Sequence, residues 1–257
     1  MGESFMRFIT AFDIKVHPAS LPEFVTVIRE QLQLRKHIVQ FGVNSATVNE
    51  ASENEEFRRV INSADLLNID GMSVVWALRC LGHTVPERVA TPDLADSVMK
   101  MAEENNFSVF LFGAADPVIS LCVENLKIKY PLLKVNGWRN GYFTPDEEYG
   151  IIEQINNSGA DILLIGISSP KKEMFYDRFR DKLKVNYVLG VGGYFDILSG
   201  RTKRAPKWMQ NIGLEWAFRL LQEPNRMWRR YLIGNNKFLW RLMKEKAKEK
   251  SDRKNGS

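Results

Sequence analysis

Apolar and polar positions follow two rhythms along this chain. Short apolar runs bounded by polar residues or glycine recur at 37–43 (HIVQFGV), 64–69 (ADLLNI), 108–112, 134–136, 161–165 and 187–191. Each reads as a strand. Between them the apolar residues take helical spacing over 45–61, 72–81, 92–104, 117–130, 146–157 and 170–183. Thr144-Pro145 ahead of Asp146 makes a helix start, and Pro170 suits a first helical turn. Strands alternating with helices predict the α/β class, a Rossmann-like parallel sheet with helices on both faces. From Ala205-Pro206 onward the pattern is helical alone. Ile212, Trp216 and Leu220 share one stripe, with Glu215 and Arg219 as an i, i+4 pair beside it. Glu223-Pro224 ends that helix, a second starts near Asn225, and Gly234-Asn235-Asn236 is placed to interrupt it before 238–250. The division predicted is a core over 1–200 and a basic helical appendage over 201–257.

Composition changes this picture little; charge changes it more. In 257 residues of 29.6 kDa, 44% are hydrophobic and 26% charged, which excludes a disordered chain. No apolar run approaches the roughly 18–20 residues that span a bilayer. Residues 1–18 mix Glu3, Arg7, Asp13 and Lys15 with apolar residues and do not read as a signal peptide. Cys80 and Cys122 are the only cysteines, and His17, His37 and His83 lack ligand spacing, so no metal site is expected and a reduced, cytosolic location is the default. The net charge of +5 hides an asymmetry. Residues 201–257 hold 16 Lys+Arg against 5 Asp+Glu, a net +11, and four of the six tryptophans, Trp208, Trp216, Trp228 and Trp240. Indoles favour a membrane interface and arginines favour phosphate, so the tail suits an anionic surface.

Chemistry gathers at the predicted strand ends, where doubly wound sheets bind ligands. The first strand ends at Asn44, the second at Asp70-Gly71, the third at Gly113-Ala114-Ala115-Asp116, the fifth at Gly166-Ile167-Ser168-Ser169 and the last at Gly190-Val191-Gly192-Gly193, followed by Phe195-Asp196. Glycine admits close backbone approach and helix N-termini bind phosphate, so the shared placement points to a nucleotide or phosphorylated ligand. Neither a P-loop nor a dinucleotide fingerprint is present. There is also no Asp-x-Asp to hold a divalent ion. Arginines, lysines and backbone amides are left to meet any diphosphate charge.

The strings NIDGMSVVWALRCLG (68–82), ERV (87–89), SPKKE (169–173), GVGGYFDILSG (190–200), RAPKWMQ (204–210), GLEWAFRL (213–220) and EPNRMWRRY (223–231) resemble the WecG/TagA/CpsF family of bacterial glycosyltransferases, glycosyltransferase family 26. The resemblance runs in order from about Ile38 to Tyr231. It implies a metal-independent, inverting transfer, without cofactor, from a UDP-sugar to a polyprenyl-diphosphate-linked sugar in teichoic acid, capsule or exopolysaccharide assembly. Donors in the family include N-acetylmannosamine, its uronic acid and glucose. The aspartate of the Asp-Gly motif, here Asp70, is the implied base. Arg88 of the Glu-Arg-Val motif joins it as catalytic. Asn44, Gly71, Gly113, Gly166, Ser168, Lys171, Lys172, Glu173, Gly192, Gly193 and Asp196 are the expected substrate-binding residues. A membrane-docked tail adding Arg219, Arg226 and Arg229 follows from the same resemblance, with the enzyme peripheral on the inner membrane face and a homo-oligomer through the core left open. Three positions depart from the family's pattern. Gly42 stands where Thr is usual, Lys172 where Gln is usual, and Ala90-Thr91 where a glycine usually precedes the x-Asp.

Blander roles compete for the same residues. Asp70 also suits an N-cap for the helix from Met72. Asp93, Glu173 and Asp196 are rival carboxylates, of which Asp93 also looks like a cap. Arg88 equally suits an ion pair with Glu87 or Asp93. Trp76, spaced with Met72 and Cys80, reads as core, and Tyr142-Phe143 as packing. Two other functions remain open: a non-catalytic UDP-sugar-binding regulator, and a nucleic-acid binder using the basic tail. The tail's tryptophans, set among leucines and methionines, favour lipid over nucleic acid.

Overall fold

The computed structural model describes residues 6–255; the side chains of Arg226, Arg230 and residues 249–255 lie outside the described residues. Eight strands are present among them: β1 (Ile9–Ala11), β2 (Ile14–Val16), β3 (Ile38–Val43), β4 (Leu66–Ile69), β5 (Ser108–Gly113), β6 (Lys134–Arg139), β7 (Ile162–Gly166) and β8 (Tyr187–Gly190). The last six form one parallel sheet in the order β4-β3-β8-β7-β5-β6. Alternation along the strands separates two cores. Val39, Phe41, Phe110, Phe112, Leu163 and Ile165 enter one, while Ile38, Val109, Leu111, Ile162, Leu164 and Leu189 enter the other. Helices Leu21–Gln33, Thr91–Glu104 and Asp116–Lys129 cover the second face. Helices Ser45–Glu53, Glu55–Asn62, Met72–Cys80, Glu148–Asn157 and Lys171–Phe179 cover the first. The predicted α/β architecture with helices on both faces is therefore the observed one.

Several boundaries differ for identifiable reasons. The helix predicted over 45–61 is two, because Asn54 takes an extended conformation and its side chain accepts the Phe57 N–H at 3.0 Å, starting a second helix. β6 runs three residues beyond its predicted end, with Asn136 bulged out of register against β5. The hairpin β1–β2 was not predicted. Its turn residues, Phe12 (φ 54°) and Asp13 (φ 56°), occupy the left-handed region that the usual Asn-Gly signal marks.

The tail folds as helices Lys207–Asn211, Glu215–Gln222 and Pro224–Trp228, a π-helical stretch Arg229–Ile233, and a long helix Gly234–Asn255. Gly234-Asn235-Asn236 does not interrupt it. Asn49 donates to the Gly234 carbonyl at 2.8 Å, and Phe238 enters the first core beside Phe12, ring centres 5.6 Å apart. The tail is thus packed along helix Ser45–Glu53 and lies over the carboxyl ends of the strands.

Candidate active site

A cleft of about 1640 Å³ opens where the strands end, floored by the strand-end loops and roofed by the tail. Of the predicted residues, Asn44, Asp70, Gly71, Arg88, Gly166, Ser168, Lys171, Lys172, Gly192, Gly193, Asp196 and Arg219 line it. Gly113, Glu173 and Arg229 do not. Gly113 (φ 145°) is held against Gly166, whose backbone lies 2.5 Å from where a Cβ would stand, so its glycine serves strand contact. Glu173 is buried behind the floor as the ion-pair partner of Lys172. Arg229 is exposed, its guanidinium 5.2 Å from the Trp228 ring centre. The side chain of Arg226 lies outside the described residues.

Asp70 does not cap the helix after it. Gly71 is the N-cap there, without a side-chain bond. Asp70 instead turns to a different helix: its Oδ1 accepts the backbone N–H of Thr91 at 2.8 Å, the first residue of Thr91–Glu104. Its Oδ2 accepts from Asn44 Nδ2 at 3.3 Å. Asn44 is fixed in turn by its own capping bonds, accepting at Oδ1 from Ala46 and Thr47 N–H at 3.0 and 3.3 Å. A capping carbonyl oxygen forces the amide nitrogen to the other side, toward the carboxylate. Gly71 has to be small, since a Cβ would stand 3.0–3.1 Å from Asn44 Cβ and Cα.

The roof meets the floor through charge. Arg88, with 11% of its side chain exposed, pairs with Glu215 Oε2 of the tail at 2.7 Å, neither with Glu87 nor with Asp93. Glu87 receives the Leu21 N–H, and Asp93 pairs with Arg204. Arg204 also reaches Glu215 Oε1 at 3.2 Å and Gln210 Oε1 at 2.9 Å. Burial works against the Arg204 charge, yet Asp93 and Glu215 outweigh it and raise its pKa above the usual arginine value. With Glu215 so occupied, the predicted Glu215–Arg219 pair does not form; Arg219 lies 3.8 Å from Glu223 and rests on Gly193, its Nη2 2.4 Å from the position of a Cβ. Gly190 likewise makes room for Phe41 and the stem of Lys172. The cleft is therefore lined by the Asp70 carboxylate, held by two donors, together with Arg88, Lys171, Lys172 and Arg219 and the further carboxylates Glu50, Glu147, Asp196 and Glu215.

Sequence reasoning passed over several lining residues. Trp76, Met72 and Cys80 form a stripe, but it faces the cleft; Trp76 is 49% exposed, with Gly213 against its indole. The core stripe of that helix is Val74, Val75, Ala77 and Leu78. Tyr142 is exposed at the rim, while Phe143 does pack, against Phe112 and Phe175. Thr91, Arg204 and Glu215 fell within or beside the family-like strings but were not singled out as site residues. Among the described residues, no three His, Cys, Asp or Glu side chains gather as a metal site, and no helix is long and apolar enough to cross a membrane.

A cleft at the carboxyl ends of a parallel sheet, with a hydrogen-bonded aspartate and several arginines and lysines in its lining, is where α/β proteins bind ligands. Residues 9–252 match the model of the Glycosyl transferase WecG/TagA/CpsF family, and the chain belongs to that family. It is 34% identical over 183 residues to an N-acetylglucosaminyldiphosphoundecaprenol N-acetyl-beta-D-mannosaminyltransferase of Bacillus spizizenii, a match covering 71% of this chain and 70% of that relative.

Proposed function

We propose that the protein transfers a sugar, with inversion, from a UDP-sugar to a polyprenyl-diphosphate-linked saccharide in the synthesis of a bacterial surface polysaccharide. The observation that carries this reading is the Asp70 carboxylate, held by Thr91 and Asn44 on the floor of a cleft with cations on its other walls. The similarity to a transferase whose named acceptor is a diphosphoundecaprenol sugar supports it. In the step proposed, an acceptor hydroxyl oxygen forms a bond to the anomeric carbon as the bond from that carbon to the β-phosphate oxygen breaks. Asp70 takes the hydroxyl proton. Negative charge grows on the departing UDP, and Arg88, Lys172 and Arg219 meet it. Arg88 already holds Glu215 of the roof through Nη2, so a phosphate that it also engages couples substrate binding to the roof.

The tail is read as the membrane-docking part, holding the enzyme on the inner face of the cell membrane, where the isoprenoid chain of the acceptor stays. Exposed Trp208, Leu221, Trp228, Leu232, Trp240 and Met243 support this, together with the local positive charge. N-acetylmannosamine is the donor of first choice, with its uronic acid and glucose next. Screening UDP-sugars for UDP release with a short-chain polyprenyl-diphosphate N-acetylglucosamine tests the reaction. No release above hydrolysis with any donor would overturn it. Pelleting of the full chain with phosphatidylglycerol vesicles, and not with phosphatidylcholine vesicles, tests the docking.

A further inference from the structure

The middle of a parallel sheet is a poor place for polar side chains, since each unbonded amide or hydroxyl there costs several kcal/mol. β3 and β4 nevertheless place Gln40 and Asn68 on one face as diagonal neighbours, Gln40 lying opposite Leu66 and Asn68 opposite Gly42, both fully buried, and β8 adds the buried hydroxyl of Tyr187. The three satisfy one another. Tyr187 donates to Gln40 Oε1 at 2.8 Å, Gln40 Nε2 donates to Asn68 Oδ1 at 3.2 Å, and Asn68 Nδ2 donates to the Val89 carbonyl at 2.8 Å.

The direction of this chain follows from the groups themselves. The Val89 carbonyl can only accept, so the Asn68 NH₂ must face it. The Asn68 oxygen then faces Gln40 and requires its NH₂, which turns the Gln40 oxygen to Tyr187. Each donor points from Tyr187 toward segment 89–91. That segment is pinned to β4 twice, by Val89 N–H on the Ile69 carbonyl at 3.0 Å and by Asn68 on the Val89 carbonyl. Two residues on, Thr91 delivers its N–H to Asp70 Oδ1, and Asp70 itself lies two residues past Asn68. The Thr91 hydroxyl, 3.5 Å from Asn68 Nδ2, fills the space over Gly42.

We infer that Asn68, oriented by Gln40 and Tyr187, is a positioning residue for the Asp70 carboxylate: it fixes the segment whose N–H holds Oδ1 at 2.8 Å, so that Oδ2, with only the longer 3.3 Å bond from the Asn44 amide, is the atom that receives the proton. This rests on the reading of Asp70 as the base. An aspartate at a strand end otherwise has several staggered rotamers open to it. A line of buried, fully satisfied bonds selects one.

Tyr187→Phe is the sharpest test, because it removes one hydroxyl at the far end of the line and keeps the ring. The assay is UDP release from UDP-N-acetylmannosamine with a short-chain polyprenyl-diphosphate N-acetylglucosamine. The expected result is a kcat lowered roughly tenfold, with the donor KM within about twofold of wild type. Gln40→Met, which keeps the side-chain length and removes both bonds, is expected to show the same split, with thermal melting reporting that each variant is folded. Introduced into Asp70→Asn, neither change should lower the residual turnover further, because the group they position is gone. A kcat unchanged in both variants overturns the inference, as does a loss that multiplies in full onto that of Asp70→Asn, which marks a merely structural effect. Wild-type turnover by Asp70→Asn itself instead removes the base reading, and this inference with it.

Discussion

Floor and roof of the cleft are built from different forces. Under the floor, Tyr187, Gln40, Asn68 and Thr91 are buried, and Asp70 and Asn44 are held by neutral or singly charged hydrogen bonds with fixed direction. The roof over 207–248 is held at its outer end by ion pairs, Lys237 and the largely buried Arg241 to the half-exposed Glu53 at 3.0 and 2.7 Å and the exposed Lys248 to Asp13 at 3.5 Å, with Phe238 as its anchor in the first core. Exposed pairs contribute little and weaken with salt; buried bonds tolerate salt and fail when a partner is lost. The division leaves the geometry of the site independent of how firmly its cover is held.

The largest effect expected is at the centre of the floor. Asp70→Asn should lower turnover by roughly 10²–10⁴-fold with melting temperature little changed, as read by UDP release and calorimetry. The mutant amide can still pack, so a loss of fold in place of activity would mean that the carboxylate is structural.

The floor should also be the part sensitive to mild acid. His17 Nδ1 accepts the Leu67 N–H at 3.0 Å, which requires the neutral ring, and burial lowers its pKa to about 4. Unfolded, it titrates near 6.5. Between these values the unfolded chain binds the extra proton, so the stability His17 contributes is whole above pH 6.5 and is lost as pH falls through 4. The loss amounts to about 3 kcal/mol. Urea melts at pH 7.5 and 4.5 should show it, and His17→Gln should flatten the difference.

A smaller effect is expected from crowding the floor. A side chain at Gly42 would bring its Cβ 2.4 Å from Thr91 Oγ1. Gly42→Thr should cost about 1–3 kcal/mol, and Gly42→Thr with Thr91→Gly should recover most of it. Equal destabilisation of the single and double variants would show that the two positions do not compete. The smallest effect belongs to the roof. Glu53→Gln removes the partner of both Lys237 and Arg241, yet stability should change by well under about 1 kcal/mol. Tryptic cleavage of the tail should become faster and less dependent on salt. A larger loss would make the roof as firmly anchored as the floor.

The sequence made the strands legible because five of the six in the main sheet are buried on both faces and read as largely apolar runs. It made Asp70 and Asn44 legible because polar residues directly after such runs fall at the cleft. What it could not carry was partner choice across long separations. Arg88 and Glu215 are 127 residues apart, and Asp70 meets Thr91 through a backbone N–H that no residue type announces. Gln40 and Asn68 interrupt apolar runs without any signal of their pairing, which needs the strand register of β3 with β4. Trp76 was assigned to the core because helical spacing defines a stripe without saying which stripe is inward.

The contact between Gly42 and Thr91 bears on how sequences in this family can diverge. The resemblance sets threonine against Gly42 and, ahead of Pro92-Asp93, glycine against Thr91. The two departures look independent along the chain, 49 positions apart, but they compete for one volume. A lineage passing from one arrangement to the other has a favoured order of mutation: emptying the occupied position before filling the empty one avoids the crowded form and its cost of about 1–3 kcal/mol. The intermediate with glycine at both positions keeps the backbone N–H that meets Asp70, since position 91 supplies it whatever its side chain, so the route never passes through a form without that bond.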